Sequence, residues 1–324
     1  MDLRKAGVVL GLALGTLLAP LTNAQEYPNR PLRVVVPWPP SGAVDILARP
    51  LSQRLSEVTG QPVVVDNRGG ANSIIGSAIA AKSTPDGYTL MIDNVTGHAI
   101  NATLYKKLPF NSLTDFAPIG LLSSVTNLLV VNPSTPVKTV KDIIAAAKAR
   151  PGKLSYASFG TGGTAHLAGE LFKTSAGVDM VHVPYKGGAP ALADVMGGNV
   201  YMMISTLPTA LQQVLGGKLK GIATTGAKRS PSTPDLPTMM ESGLPGFEVS
   251  TWYGAMFPAN TPKAAVVKMN QLLMKIIASP DMLERLSVLG YEVHGSTPEE
   301  FTRHLKEETV KWGKVVKQSG AQLD

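Results

Sequence analysis

Leu32-Arg33-Val34-Val35-Val36-Pro37-Trp38-Pro39-Pro40-Ser41-Gly42-Ala43-Val44-Asp45 holds a strand, a loop and a helix start in one short stretch. Leu32 to Val36 is a buried-strand run. Val44, Leu47, Ala48, Leu51, Leu55 and Val58 then recur at helical spacing until Gly60. A strand that feeds a helix through a loop of Pro, Ser and Gly aims free backbone N–H groups and the positive helix end at one spot, which is an anion site in waiting. The same construction returns about 120 residues later. Leu154-Ser155-Tyr156-Ala157 leads into Ser158-Phe159-Gly160-Thr161-Gly162-Gly163-Thr164-Ala165-His166, and a helical pattern follows.

Working outward, strands and helices alternate. A strand is expected over 62–66, a helix over 73–82, a turn at Thr84-Pro85-Asp86-Gly87 and a strand over 88–92. Pro50 falls inside the first helix, where an interior proline costs roughly 3 kcal/mol, and nothing in the sequence accounts for it. The β-α-β-α-β order argues a parallel sheet covered on both faces. Near Ile119 to Asn132 the pattern reads as two consecutive strands without a helix between them, a crossover into a second domain. Alternation resumes with helices over 140–149, 164–176, 189–196 and 208–215 and strands over 154–157, 180–183, 200–204 and 219–224. A return strand is expected over 247–256, then long helices over 263–278 and 298–317. The sequence predicts two α/β domains. Residues 25–123 with 249–324 form the first and 124–248 the second, hinged near Ser123-Ser124 and Glu248-Val249, with a ligand cleft between them.

The chain has 324 residues, is 44% hydrophobic and contains no cysteine, so its core carries stability without disulfides. Residues 1–24 read as a secretory signal. Arg4 and Lys5 make the positive region, Ala6 to Ala19 the apolar run, and Thr22-Asn23-Ala24 the cleavage site, which predicts a periplasmic chain beginning at Gln25. The formal charge of +7 comes from dispersed residues, with no basic run longer than a pair such as Lys106-Lys107. That argues against nucleic acid and for a mild field that steers small anions.

Enzyme signatures are missing. There is no G-x-S-x-G, H-E-x-x-H or G-x-x-x-x-G-K-[ST], and His98, His166, His182, His294 and His304 have no metal-ligand spacing. Gly160-Thr161-Gly162-Gly163-Thr164-Ala165 fits a dinucleotide pattern, but the next strand ends in Val183-Pro184-Tyr185 rather than an acid. No cofactor, metal or catalytic residue is expected. His166 reads equally as a packing histidine or a cleft donor. Asp45 reads first as a complement to its helix dipole, with a ligand contact as the other option. Trp38, set between prolines, reads as a cleft wall, and Trp252 as core or hinge packing. The loop from Asp66 to Ser73 is a third wall or a plain connection.

An ordered set of motifs runs through the chain: Pro37-Trp38-x-x-x-Gly42-x-x-Asp45 with Arg49, Asn67-x-x-Gly70, Pro85-Asp86-Gly87-Tyr88, Ser158-x-Gly160-x-Gly162-x-x-x-His166, Val183-Pro184-Tyr185-Lys186-Gly187, Leu236-Pro237-Thr238 and Trp252-Tyr253-Gly254 before Pro258-Ala259-Asn260-Thr261-Pro262. Together they resemble the Bug family, the periplasmic solute-binding components of tripartite tricarboxylate transporters. The resemblance implies a two-domain type II periplasmic binding fold that closes on a carboxylate through amides, hydroxyls and waters. Ser41 stands where the family often has glycine, and Trp38 where it often has phenylalanine. The candidate ligand-binding residues are Trp38, Pro40, Ser41, Gly42, Asp45, Ser73 and Thr96 on one side. Ser158, Gly160, Thr161, Gly162, His166, Tyr185 and Thr206 stand on the other. The expected partners are a small carboxylate (di- or tricarboxylate, or aromatic) and the membrane subunits of such a transporter, the receptor itself being a monomer. A periplasmic sensor of the same fold would carry the same residues.

Overall fold

The computed structural model describes residues 27–319, so the expected signal segment lies outside the described residues. The order is β1 (Leu32–Val36), α1 (Ala43–Thr59), β2 (Val63–Asn67), α2 (Ile74–Ala81) and β3 (Thr89–Asn94). A π-helical turn, Thr96–Ile100, then runs into α3 (Asn101–Leu104) and β4 (Phe116–Val131). Next come α4 (Val140–Ala149), β5 (Ser155–Ser158), α5 (Thr164–Ala176), β6 (Val181–Pro184), α6 (Gly188–Met196), β7 (Met202–Thr206), α7 (Leu207–Leu215) and β8 (Lys220–Thr224). The chain finishes with β9 (Ser250–Pro258), α8 (Lys263–Ile277), α9 (Pro280–Val288), β10 (Tyr291–Val293) and α10 (Pro298–Ser319).

The helices begin and end where local chemistry dictates. Gly60 closes α1 in the left-handed conformation and returns its N–H to Ser56. Thr139 and Asp142 form a reciprocal capping box on α4. α1 runs unbroken through Pro50, which is buried.

Alternate strand residues supply opposite cores, as expected for a sheet covered on both faces. Val34, Val36, Leu90 and Ile92 pack with α1 and α8, whereas Val35 and Met91 share a core with Phe301 and Trp312 of α10. Leu128 and Val130 pack with α6 and α7, and Leu129 and Val131 face the other way.

The strand order is β2-β1-β3-β9-β4-β7-β5-β6, with β8 and β10 also on β4. Ile119 to Asn132 does not form the two strands expected from its composition. Residues 116–131 are one strand, because β9 and then β7 and β8 give β4 a partner along its length. β4 pairs antiparallel with β9 up to Thr126↔Ser250 and then with β7 from Asn127↔Thr206. The exchange of partners is tied by Thr225. Its hydroxyl accepts the Asn127 N–H at 2.9 Å and donates to the Val249 carbonyl at 2.5 Å. The π-helical turn with α3, and α9 with β10, are further elements that the apolar periodicity did not reveal.

Candidate functional site

Four helices begin at one cleft. α1 starts after Gly42 (φ −79°, ψ 165°) and α5 after Gly163 (φ −69°, ψ 168°); neither cap position offers a side-chain hydrogen bond. α6 starts after Gly187 and α7 after Thr206, again without a side-chain cap. Residues from all four starts line the cleft, whose inner chamber has a cavity volume of about 60 Å³. Each start leaves backbone N–H groups unpaired and carries a partial positive charge near +0.5. Trp38, Pro40, Phe159, Pro190 and Tyr253 supply apolar wall, and no Lys, Arg, Asp or Glu lines this inner chamber. Such a cleft can hold an anion by amides and hydroxyls, with no ion pair. Glycine at a cap position is only a few tenths of a kcal/mol poorer than Ser or Asp. It leaves the amides to whatever enters the cleft.

Thr96 and Thr206 line the inner chamber with Trp38, Pro40 and Gly42. Thr96 directs its amide to the Asn94 side chain at 2.9 Å, and Thr206 shares a hydroxyl contact of 2.9 Å with Thr209. Ser73, Gly160, Thr161 and Tyr185 line an outer chamber, which shares Trp38, Pro39, Phe159 and Gly187 with the inner one. The Asn72 side-chain amide donates to the Thr161 carbonyl and so links the two walls of that chamber. The Tyr185 hydroxyl donates to Asp194.

Five of the candidate residues line neither chamber. Asp45 accepts the Ser41 amide and the Asn67 side chain, both at 2.9 Å, and pairs with Arg49. Burial alone would raise its carboxyl, but these donors outweigh it and hold the group below the usual range. The Ser41 amide is thereby engaged, with the residue left-handed at φ 64°. Ser158 is fully buried with its hydroxyl 2.6 Å from His182 Nε2. The Gly162 amide donates to His166 Nδ1 at 2.9 Å, and that imidazole stacks on His182 with centroids 4.0 Å apart. Burial, then the adjacent His166, lowers His182 to about 4; burial lowers His166 as well. Gly162 sits at φ 84°, and an added Cβ would fall 1.9 Å from Leu104 Cδ2. These groups shape the second loop from beneath.

Sequence reasoning missed Asp93, Asn94, Thr209 and Tyr253. Asp93 is fully buried at the end of β3, where the Trp38 indole N–H donates to it at 2.6 Å. Burial pushes its carboxyl up to about 7, although Trp38 and nearby hydroxyls oppose the shift. Tyr253 lines the inner chamber, fully buried, with a hydroxyl that has no hydrogen-bond partner. The only signal was adjacency: Asp93-Asn94 follows an apolar strand run, and Tyr253 follows Trp252. Trp252 itself lies elsewhere, its indole donating to Glu308 at 3.0 Å. Among the described residues no group of three or more His, Cys, Asp or Glu is placed to hold a metal ion.

Residues 47–321 match the TctC family, described as tripartite tricarboxylate transporter family receptors. Protein BugT of Bordetella pertussis is 34% identical over 325 residues and covers 100% of both chains. A solved structure of Rhodopseudomonas palustris Rpa4515 with adipate superposes with a TM-score of 0.89 at 38% identity, covering 92% of this chain and 100% of that one. MatC (Rpa3494) from the same organism, with bound malate, gives 0.83 at 30% identity over 90% of this chain and 100% of its own.

Proposed function

The chain belongs to the TctC family of tripartite tricarboxylate transporter receptors, a family of periplasmic solute-binding proteins, and from that premise we propose that it captures a small carboxylate in the cleft between its four helix starts. The observation that carries this reading is the convergence of uncapped amides from α1, α5, α6 and α7 on a chamber without a charged side chain. Charge-assisted bonds from backbone N–H groups contribute about 1.5–3 kcal/mol each, so two or three hold a carboxylate without a cation. The neutral side chains of Asn94, Thr96, Thr206 and Thr209 add polar contacts along the same chamber. Ser158, Gly162 and His166 act indirectly by fixing the second loop. Gly160, Thr161, Ser73 and Tyr185 border the outer approach.

In this reading the receptor is exported by residues 1–24, acts as a single chain, and delivers its ligand to the membrane subunits of a tripartite transporter. The segments 25–123 with 249–324 and 124–248 close on the ligand by bending where β4 and the 249–250 strand entry cross over, next to Thr225. The function is solute capture, with no chemical step.

The test is calorimetric titration of the chain from Gln25 onward with adipate, malate and citrate. Saturable one-to-one binding of at least one acid is expected. At roughly 100 times the dissociation constant the ligand adds about 2.7 kcal/mol of stability, which raises the melting temperature by several degrees. Small-angle scattering then shows contraction on saturation. Absence of binding by every carboxylate, aromatic acids included, overturns the proposal.

A further inference from the structure

The indole of Trp38 lies on the boundary between the inner and outer chambers and lines both. It is anchored from below. Its Nε1–H donates to Asp93 Oδ1 at 2.6 Å, and Asp93 is fully buried. Among the described residues the basic partner of this carboxyl is His98 rather than a Lys or Arg. Its second oxygen faces the Ser77 hydroxyl at 3.3 Å and His98 Nε2 at 3.8 Å. His98 is equally buried, and that burial holds it near 3, in the neutral form. The surroundings are built to fit the group. At Gly97 an added Cβ would fall 1.9 Å from Asp93 Oδ2, so only glycine fits beside it. Asp93 also sits opposite Gly254 in the β3–β9 ladder, and the next pair, Asn94 and Tyr253, lines the inner chamber.

A buried carboxyl is costly unless hydrogen bonds offset its desolvation, and here the donors include the Trp38 indole and the Ser77 hydroxyl. Packing alone would be served by an apolar residue at the end of β3. What Asp93 adds is a directional acceptor for an indole that is only partly buried at the edge of a cleft. An indole N–H with a fixed acceptor has one orientation, whereas a ring held by apolar contact alone swings about χ1 and χ2. Trp38 lines both chambers, so the orientation of its ring shapes the wall they share.

We propose that Asp93 is a positioning residue that fixes the Trp38 indole as the end wall of the ligand chamber, so that the Asp93–Trp38 pair sets the length of carboxylate the receptor accepts. The proposal rests on the carboxylate-receptor reading above. The ligand class it names is a short α,ω-dicarboxylate whose unsubstituted carbons lie against Trp38 and Phe159. One carboxylate end meets the helix starts.

The test uses succinate, adipate, suberate and sebacate, titrated into the wild type and into Trp38→Phe, Asp93→Leu and Asp93→Asn. Trp38→Phe removes the N–H and keeps an aromatic ring against the core that Trp38 packs on. Asp93→Leu removes the acceptor. Asp93→Asn keeps a side-chain oxygen for the indole and serves as the conservative rescue. The wild type is expected to bind its best acid at least tenfold more tightly than the longer members. In Trp38→Phe and Asp93→Leu that ratio falls about tenfold, equivalent to about 1.4 kcal/mol, and Asp93→Asn retains it. The Trp38 indole N–H resonance, identified by its loss in Trp38→Phe, moves in Asp93→Leu and stays near its wild-type position in Asp93→Asn. If Asp93→Leu fails to fold, Trp38→Phe alone decides the length profile. A wild-type length profile in Trp38→Phe, or equal effects of Asp93→Asn and Asp93→Leu on profile and resonance, overturns the inference and leaves the receptor reading intact. A wild-type chain that takes none of the carboxylates overturns both.

Discussion

Replacing Gly163 with Asp puts the account under direct strain. Gly163 is the cap residue of α5 in extended conformation, with φ −69° and ψ 168° that any residue adopts. An added Cβ meets only Gly160 O at 3.6 Å and Asn72 Oδ1 at 3.8 Å, ordinary contacts. Aspartate is the better cap by a few tenths of a kcal/mol, since its carboxylate accepts from the amides two and three residues on. The unliganded variant should therefore melt at or slightly above the wild-type temperature. Those amides, at Ala165 and His166, belong to the helix start that the proposed function aims at the ligand. A second carboxylate about 4 Å from the first costs about 4 kcal/mol at an effective dielectric of 20, close to a thousandfold in affinity. Gly163→Asn caps without the charge and should lose only about tenfold, because the ligand then competes with a neutral cap. Calorimetry with adipate reads both. A folded Gly163→Asp chain that binds within threefold of wild type refutes the assignment. Gly162, one residue earlier, is unsuitable for this test. Its left-handed φ and the Leu104 contact make any side chain there a folding defect rather than a binding one.

Two further outcomes follow from the surroundings of the site. Thr225→Val leaves the Asn127 N–H and the Val249 carbonyl without their buried partner, which should cost about 2–4 kcal/mol in denaturant unfolding; a loss under 0.5 kcal/mol would mean the crossover is not tied there. His98 and His182 are held down to about 3 and about 4 by burial. Because their folded pKa values lie below the unfolded one near 6.5, both favour the native state at neutral pH, and that contribution is lost as pH falls from 6.5 toward 4. Denaturation at pH 7, 5.5 and 4.5 should show this decline, and a His182→Gln chain that folds should decline less; parallel curves would contradict the cause.

The sequence revealed most where local chemistry alone decides the structure. Gly60 ends α1, and α4 and α5 run over Val140–Ala149 and Thr164–Ala176 as their spacing indicates. The starts of α1 and α5 were legible as helix ends that present amides, because a strand, a loop and a helix leave amides free whatever the tertiary context. The contribution of α6 was less visible, since Gly187-Gly188 looks like any turn until the sheet brings it beside Gly163. β4 was misread as two strands because an apolar run carries no mark of where its partners change. Asp93 was missed for a related reason. An acid after a strand ordinarily reads as a loop residue in water, and only the fold buries it beneath Trp38. Gly162 looked available to ligand, but its amide belongs to His166, a pairing that the loop sets and the spacing only permits.

Amide chemical-shift mapping of isotopically labelled protein during an adipate titration reaches the central claim most directly. The account predicts that the largest changes fall at the backbone N–H groups of 43–45 and 164–166, with smaller ones at 188–189 and at Thr209. These are the helix starts proposed to hold the ligand, and of their residues Ala43, Val44, Thr164, Gly188, Ala189 and Thr209 line one chamber. Shifts that leave both helix starts unmoved and gather at the separate groove lined by Arg229, His294 and Lys311 would contradict it.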